Sequence, residues 1–592
     1  MTLADQLTQA VALHRQGRLA EAEALYLDIV RRDPTHFDAL HLAGVVALQT
    51  HRTEDGVALI RQAIAVNARV AEAHSNLGNG LRELRRFEEA LASFDHAIAL
   101  RPGSAESHRD RATTLQNLGR LEEALAGYEQ AMALDPGLDF LQGMAAHARL
   151  TVCDWRHVRQ DAMALAERIA HGERAAMPFS VAALTDSPAL QCRAAEIFVR
   201  AKYLGVPSLP PIAPRSPNDK LRIGYFSSDF YNHATAYLIA EVLECHDRSA
   251  FEITAFSFGP DTRDEMRQRV EAGVDRLIDV RYQADQDVAA MARSLRIDIA
   301  VDLKGFTKDF RAGIFACRAA PVQVNWLGYP GTMGAGFIDY IIADPVLIRE
   351  QEEPYYTEKI VWLPDTYQPN DRRRRIAGLV PSRVEAGLPA EGFVFCCFNN
   401  SYKITPDVFA SWMRILRQVE GSVLWLLHDN ETAAANLRDA AAQCGIAPAR
   451  LVFAPRLPLA EHLARHRLAG LFLDTLPYNA HTTASDALWA GLPVLTCAGA
   501  TFAGRVAASL LHAVGLPDLI TATGEEYEAK AVMLAGDADA LAAVQQRLAR
   551  SRMTAPLFDT ARFTRNLEAA YRAMSGRRQA GLPPEHICIP GT

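Results

Sequence analysis

The chain has 592 residues, about four times the length of a typical domain, so one core cannot organise it. Its 62 Lys plus Arg against 70 Asp plus Glu give a net charge of -8, with 49% hydrophobic and 22% charged residues, which excludes a disordered, collagen-like or coiled-coil chain and any general attraction to nucleic acid or anionic lipid. No apolar run approaches the ~20 residues of a membrane span, Met1–Gln16 lacks the apolar block of a signal peptide, and none of the nine cysteines forms a C-x-x-C pair, so a cytoplasmic protein with reduced thiols and no nucleic-acid or membrane partner is expected.

Residues 1–138 repeat with a period of 34. One column reads Gly17, His51, Arg85 and Gly119; a small-residue column reads Ala22, Gly56, Ala90 and Ala124; a bulky column reads Tyr26, Ile60, Phe94 and Tyr128; a helix-stop column reads Pro34, Ala68, Pro102 and Pro136. Small residues let two antiparallel helices approach, the bulky column fills the gap to the next pair, and proline ends each second helix. The pattern resembles the tetratricopeptide repeat and predicts four of them, stacked into a short superhelix whose concave face holds peptides or partner proteins.

Residues 139–217 lose the repeat. Helical patterning continues through Phe140–Leu150 and Ala189–Tyr203, and Val206–Pro217, with five prolines, reads as an extended linker. Residues 218–385 then alternate helical stretches with largely apolar runs at Leu221–Phe226, Phe251–Phe258, Ile297–Leu303, Val322–Leu327 and Phe337–Ala343, as parallel strands buried on both faces require. Trp362–Arg375 interrupts the rhythm, and its last four residues, Arg372–Arg375, read as a solvated loop between lobes. A second series occupies 386–575, with strands at Phe393–Phe398, Val423–Leu427, Leu451–Phe453, Leu471–Asp474 and Val494–Thr496 and a last helix near Ala561–Met574; residues 576–592 form a tail without an assignment. Two doubly wound lobes in tandem are the simplest architecture.

The segment Leu468–Thr496 reads as strand, loop, helix and strand, the helix beginning near Thr482 and closing at Gly491. Free backbone amides and the positive dipole end at such a helix start bind phosphate, Thr482 and Thr483 add hydroxyl donors, and Asp486 one turn on suits a ribose hydroxyl. The alternative is that the two threonines only cap the helix. A Walker loop and a G-x-G-x-x-G are both absent, which removes the main support for ATPase and dinucleotide readings.

Several motifs, in order, resemble one family: SSDFYNHAT (Ser227–Thr235), DLKGFT (Asp302–Thr307), PVQVNWLGYPGTMG (Pro321–Gly334), LPDTYQPND (Leu363–Asp371), FNNSYKITP (Phe398–Pro406) and the YNAHTT segment. These, after the repeats, are similar to the glycosyltransferases that join tetratricopeptide repeats to a GT-B fold of two Rossmann-like lobes, the protein O-GlcNAc transferases and the SPINDLY protein O-fucosyltransferases. The resemblance implies that His233 lies in the active-site cleft and that Lys403 binds the diphosphate leaving group. It also implies that Asn400 helps hold the phosphates, that His462 and Arg465 bind the nucleoside, and that His481, Thr482, Thr483 and Asp486 form the nucleotide-holding helix start. Fixed positive charge must meet the departing diphosphate, and Lys403 with the helix amides can supply it. The general base is left between His233, Asp302, solvent and a substrate phosphate.

No D-x-D motif occurs in these segments, so neither a metal nor a cofactor is expected. The donor substrate implied is UDP-GlcNAc, and the repeats would hold acceptor proteins. FNN resembles the SPINDLY branch, which uses GDP-fucose; His481 before the two threonines resembles the GlcNAc branch and bears more directly on the donor. A repeat-based adaptor with an inactive transferase region is the alternative of another class.

Overall fold

The computed structural model describes residues 2–206, 209–213, 216 and 218–591. Pro207, Ser208, Pro214, Arg215 and Pro217 of the expected linker lie outside the described residues. Two compact units form, one of residues 1–148 with Tyr282–Ala284 and one of Arg149–Arg281 with residues 285–592.

In the first unit eight helices, from Leu3–Arg15 to Leu121–Leu134, follow in pairs. The first column of the period is the turn inside each pair, and all four members have positive φ: Gly17 at 75°, His51 at 56°, Arg85 at 60° and Gly119 at 76°. That left-handed conformation closes a helix and suits glycine; His51 and Arg85 adopt it at a cost of about 1–2 kcal/mol each. The small column sits where the two helices touch. A Cβ on Gly56 would lie 2.7 Å from the Leu48 side chain and 2.9 Å from the Gly44 carbonyl oxygen. Tyr26, Ile60, Phe94 and Tyr128 are fully buried between successive pairs. Leu141, Ala145 and Ala148 continue the core of the last repeat, so the unit outlasts its repeating sequence.

In the second unit the strands are β1 (Leu221–Ser227), β2 (Phe251–Ser257), β3 (Arg276–Asp279), β4 (Ile299–Asp302), β5 (Val322–Asn325), β6 (Tyr340–Ala343), β7 (Lys359–Trp362), β8 (Val394–Cys397), β9 (Val423–Leu427), β10 (Leu451–Ala454), β11 (Leu471–Leu473), β12 (Val494–Cys497), β13 (Ile520–Thr521) and β14 (Ile587–Cys588). They form two sheets, ordered β14-β7-β6-β5-β4-β1-β2-β3 and β10-β9-β8-β11-β12-β13. Every pairing is parallel, the arrangement that the near-continuous apolar runs require. The ten expected strands are present. Four more, β3, β7, β13 and β14, lie at or next to an edge of their sheet; β3 (RLID) offers only two apolar residues between charged, exposed ends, and β13 and β14 are two residues each.

The last helix, expected over Ala561–Met574, runs Thr560–Gln579 and packs on the first sheet rather than the second. Phe563 stacks on Trp326 at 5.9 Å, Tyr571 meets Tyr225 oxygen to oxygen at 3.0 Å, and Glu568 reaches the buried His246 at 3.0 Å. The unassigned tail then supplies β14 beside β7. The chain thus closes on its first lobe, and one apolar core runs through both lobes. Among the described residues no helix is long and apolar enough to cross a membrane.

Candidate active site

The carboxyl ends of β8 and β11 and the start of the helix Thr482–Ala490 converge. After β11 the buried Asp474 shapes the loop: Oδ1 accepts from the amides of Thr475 (2.7 Å) and Ala480 (2.6 Å), and Oδ2 accepts from Thr496 Oγ1 at 2.7 Å. That clamp presents the Asn479 carbonyl oxygen, which accepts from Lys403 Nζ at 2.8 Å. Lys403 ends the 3₁₀ turn Ser401–Lys403 after β8, and its ammonium lies 4.1 Å from the Tyr478 ring centroid. Burial pushes the Lys403 pKa down, and the Asp474 carboxylate opposes the fall.

His481 stacks on Tyr478, 4.8 Å between ring centroids, with Nε2 3.2 Å from the Ala503 carbonyl oxygen. Burial and then the Lys403 charge push its pKa far below the usual imidazole range, so the ring is neutral. A carbonyl only accepts, which places the proton on Nε2 and leaves Nδ1 a lone pair. Thr482 and Thr483 do not cap the helix. Among the described residues no side chain caps it, and the first amide bonded at its start is that of Ala484, so the Thr482 and Thr483 N–H groups stand open at the helix start. Thr483 Oγ1 instead donates to Asn399 Oδ1, while Asn399 Nδ2 donates to Thr475 Oγ1 at 2.8 Å.

Asn399, which sequence reasoning passed over for its neighbour, is thus the buried tie between the end of β8 and the helix. Asn400 is exposed and accepts from Arg456 at 3.2 Å. His462 and Arg465 sit behind it: Arg465 is buried with its guanidinium 4.4 Å from the Phe398 ring, donates to the Pro455 carbonyl oxygen at 2.6 Å, and lies 2.5 Å from His462 Nδ1. Burial, then the neighbouring His466 and Arg465, push the His462 pKa down, so its ring is neutral.

Asp486 is buried one turn into the helix and ion-paired through Oδ1 with Arg374. The four arginines are therefore not a uniformly solvated loop. Arg372, Arg373 and Arg375 are exposed and pair with Glu241, Glu244 and Glu265, but the Arg374 side chain is 2% exposed. Gln368, from the same inter-lobe segment, donates to Ser485 Oγ at 2.7 Å.

The remaining two residues stand on the first lobe. His233 is the N-cap of the helix Ala234–Cys245; its Nδ1 accepts from the Thr235 amide at 3.2 Å and lies 3.5 Å from Asp229 Oδ2. Its side chain is 38% exposed, and burial lowers its pKa. Asp302 ends β4, and its Oδ1 accepts from the amides of Lys304 (2.8 Å) and Gly305 (3.0 Å); burial pushes its pKa up to about 6. A buried ion pair that the sequence did not signal, Lys304 Nζ to Asp229 Oδ2 at 2.6 Å, ties these two positions together. Tyr237, on the helix that His233 caps, has its pKa raised by burial first and then by the charges of Asp264 and Asp486. Among the described residues no group of three or more His, Cys, Asp or Glu gathers as a metal site would need.

The model of glycosyl transferase family 41 matches residues 210–380 and 373–567, and tetratricopeptide models match 6–37 and 69–135. The chain is 37% identical over 407 residues, 67% of its own length and 42% of the other's, to a probable UDP-N-acetylglucosamine--peptide N-acetylglucosaminyltransferase SEC of Arabidopsis thaliana. It is 34% identical over 383 residues, 62% of its length and 40% of the other's, to a Petunia hybrida protein described in the same words but as SPINDLY. The chain spans about two-fifths of the length of the curated relatives it matches. Among solved structures, a mutant of Thermobaculum terrenum O-GlcNAc transferase superposes with a TM-score of 0.63 at 28% identity, over 98% of each chain.

Proposed function

The chain belongs to glycosyl transferase family 41, and from that membership we propose that it transfers N-acetylglucosamine from UDP-N-acetylglucosamine to Ser or Thr hydroxyls of proteins, in the cytoplasm, with the repeats holding the acceptor. In one displacement the acceptor oxygen forms a bond to the anomeric carbon as that carbon's bond to the diphosphate oxygen breaks, inverting the centre, while the hydroxyl proton passes to a base. Negative charge grows on the departing phosphate and must be met by groups already in place.

The observation that carries this reading is the meeting of the open Thr482 and Thr483 amides with the buried Lys403, since Lys403 and His481 share the Tyr478 ring. His462 and Arg465 would border the nucleoside, Asn400 the phosphates and Asp486 the ribose. Lys403 and the two amides would supply the countercharge without a metal. His233 is the more accessible base: its side chain is 38% exposed, whereas Asp302 is buried with Oδ1 spent on its turn; acting through Nε2 would require Nδ1 to give up the Thr235 amide and turn its proton toward Asp229, 3.5 Å away.

A second reading, fucose transfer from GDP-fucose, is favoured by the FNN motif. Thermal-shift titration with UDP- and GDP-sugars separates them, because a ligand that binds the folded state raises its stability by mass action. The largest shift is expected with UDP-N-acetylglucosamine. A larger shift with GDP-fucose would install the second reading, and no shift with any nucleotide would leave an adaptor with an inactive transferase region.

A further inference from the structure

We propose that Arg374 is a nucleotide-positioning residue, which holds the Asp486 carboxylate ionised and oriented so that one oxygen serves the guanidinium and the other accepts the ribose hydroxyls. This rests on the donor reading above and adds to it a residue from outside the second lobe.

Three observations lead there. First, the pair is asymmetric. Asp486 Oδ1 takes the Arg374 guanidinium, while among the described residues Oδ2 accepts no hydrogen bond, although the carboxylate lies one turn from the open amides of Thr482 and Thr483. Second, Arg374 is fixed at both ends. Its Nε donates to the Asp371 carbonyl oxygen at 3.1 Å, and its own carbonyl oxygen accepts from Trp489 Nε1 at 3.0 Å, so backbone and side chain grip the same helix at two successive turns. Third, the sequence around it separates roles: three of four consecutive arginines go to glutamates on first-lobe helices, and only this one turns inward.

The chemistry requires such a partner. A carboxylate buried as deeply as that of Asp486 favours its neutral form, and Arg374 is the charge that opposes this. A protonated Asp486 would meet a ribose hydroxyl with one acceptor fewer and a donor in its place. Arg374 therefore acts through Asp486.

The test is calorimetric titration of the full-length protein with UDP and with 2′,3′-dideoxy-UDP, repeated with the guanosine pair. The unsubstituted protein is expected to prefer the ribonucleotide by about 10- to 100-fold, the range of hydrogen bonds to a charged acceptor. In Arg374→Met and Arg374→Gln that preference should shrink to within about threefold. Asp486→Asn should lose it as well, and adding Arg374→Gln to Asp486→Asn should cost no further preference. In transfer assays the Arg374 variants should raise the donor KM while kcat at saturating donor falls less than threefold. Should Arg374→Met fail to unfold cooperatively, Arg374→Gln decides, since it keeps a hydrogen-bonding side chain of similar reach. An Arg374→Gln protein that discriminates ribose as well as the parent does, or a parent that does not discriminate at all, overturns the role of Arg374 and leaves the donor reading standing. A parent that binds neither UDP nor GDP overturns both.

Discussion

Lys403 shows how one side chain can be prepared for a ligand. Its ammonium is held by a carbonyl oxygen and an aromatic face rather than by a direct ion pair, and burial pushes its pKa down. A diphosphate bound at the neighbouring amides would favour the charged form and push the pKa back up. Because the bound pKa then exceeds the free one, binding takes up protons at a pH near or above the free value. Titration of UDP at pH 8 in buffers of different ionisation enthalpy is expected to report net uptake, most of it lost in Lys403→Met. That variant should also lose roughly 10²–10³-fold in kcat, as removal of one preorganised stabilising group does elsewhere, with unfolding still cooperative. Equal uptake in both proteins, or release in the parent, would remove Lys403 from the leaving-group site. Lys403, His481 and Thr483 were legible in the sequence because family motifs carry them. Asn399, Asp474 and Arg374 were not, since their meaning lies in partners such as Thr483, Ala480 and Asp486, and for Asn399 and Arg374 those partners are more than eighty residues away.

The element that changes most between sequence and structure is the stretch after the repeats, which patterning presents only as irregular helices. Within the second unit it anchors both lobes. A Cβ on Gly334, in the glycine-rich loop after β5, would lie 2.5 Å from the Glu196 amide, and Ser401, in the turn that carries Lys403, donates to the Thr151 carbonyl oxygen at 2.6 Å. Asp186 goes further. Its carboxylate accepts from the amides of Ala500 (2.8 Å) and Thr501 (3.0 Å) and from Thr501 Oγ1 at 3.1 Å. A Cβ on Gly499 would stand 2.7 Å from it, which accounts for a glycine there. This loop ends at Ala503, whose carbonyl oxygen accepts from the Asn479 amide at 2.9 Å and holds His481 at 3.2 Å. Asp186→Ala would leave two amides without an acceptor, at about 1–3 kcal/mol each where water cannot reach them. The expected result is a lower unfolding temperature together with nucleoside-diphosphate affinity weakened about tenfold. Destabilisation with unchanged affinity would confine Asp186 to the fold. No local pattern marks an aspartate whose hydrogen-bond donors lie three hundred residues on, whereas the main strands were legible because a strand buried on both faces must be apolar along its length.

At the scale of the whole chain, the period of 34 accounted for the first unit almost residue by residue, down to a left-handed turn at each member of its first column. If that unit holds acceptor proteins, removing Met1–Pro136 should act on acceptors according to their size. Every residue proposed to touch the donor lies beyond residue 220, so nucleotide affinity and donor hydrolysis should change less than about twofold. Transfer to an intact protein should fall far more than transfer to a short peptide, because remote binding energy positions only substrates long enough to reach the repeats. The cut must keep the helix Leu141–Thr151, which bears the Thr151 carbonyl oxygen that Ser401 uses. Even so, it strips partners from Leu141, Ala145 and Ala148, which share a core with Tyr128. Cooperative unfolding of the truncated protein is therefore measured first, and the two acceptors are then compared at saturating donor. Equal loss for protein and peptide would mean that the repeats support the catalytic unit's fold, and no loss for either would make them a spacer.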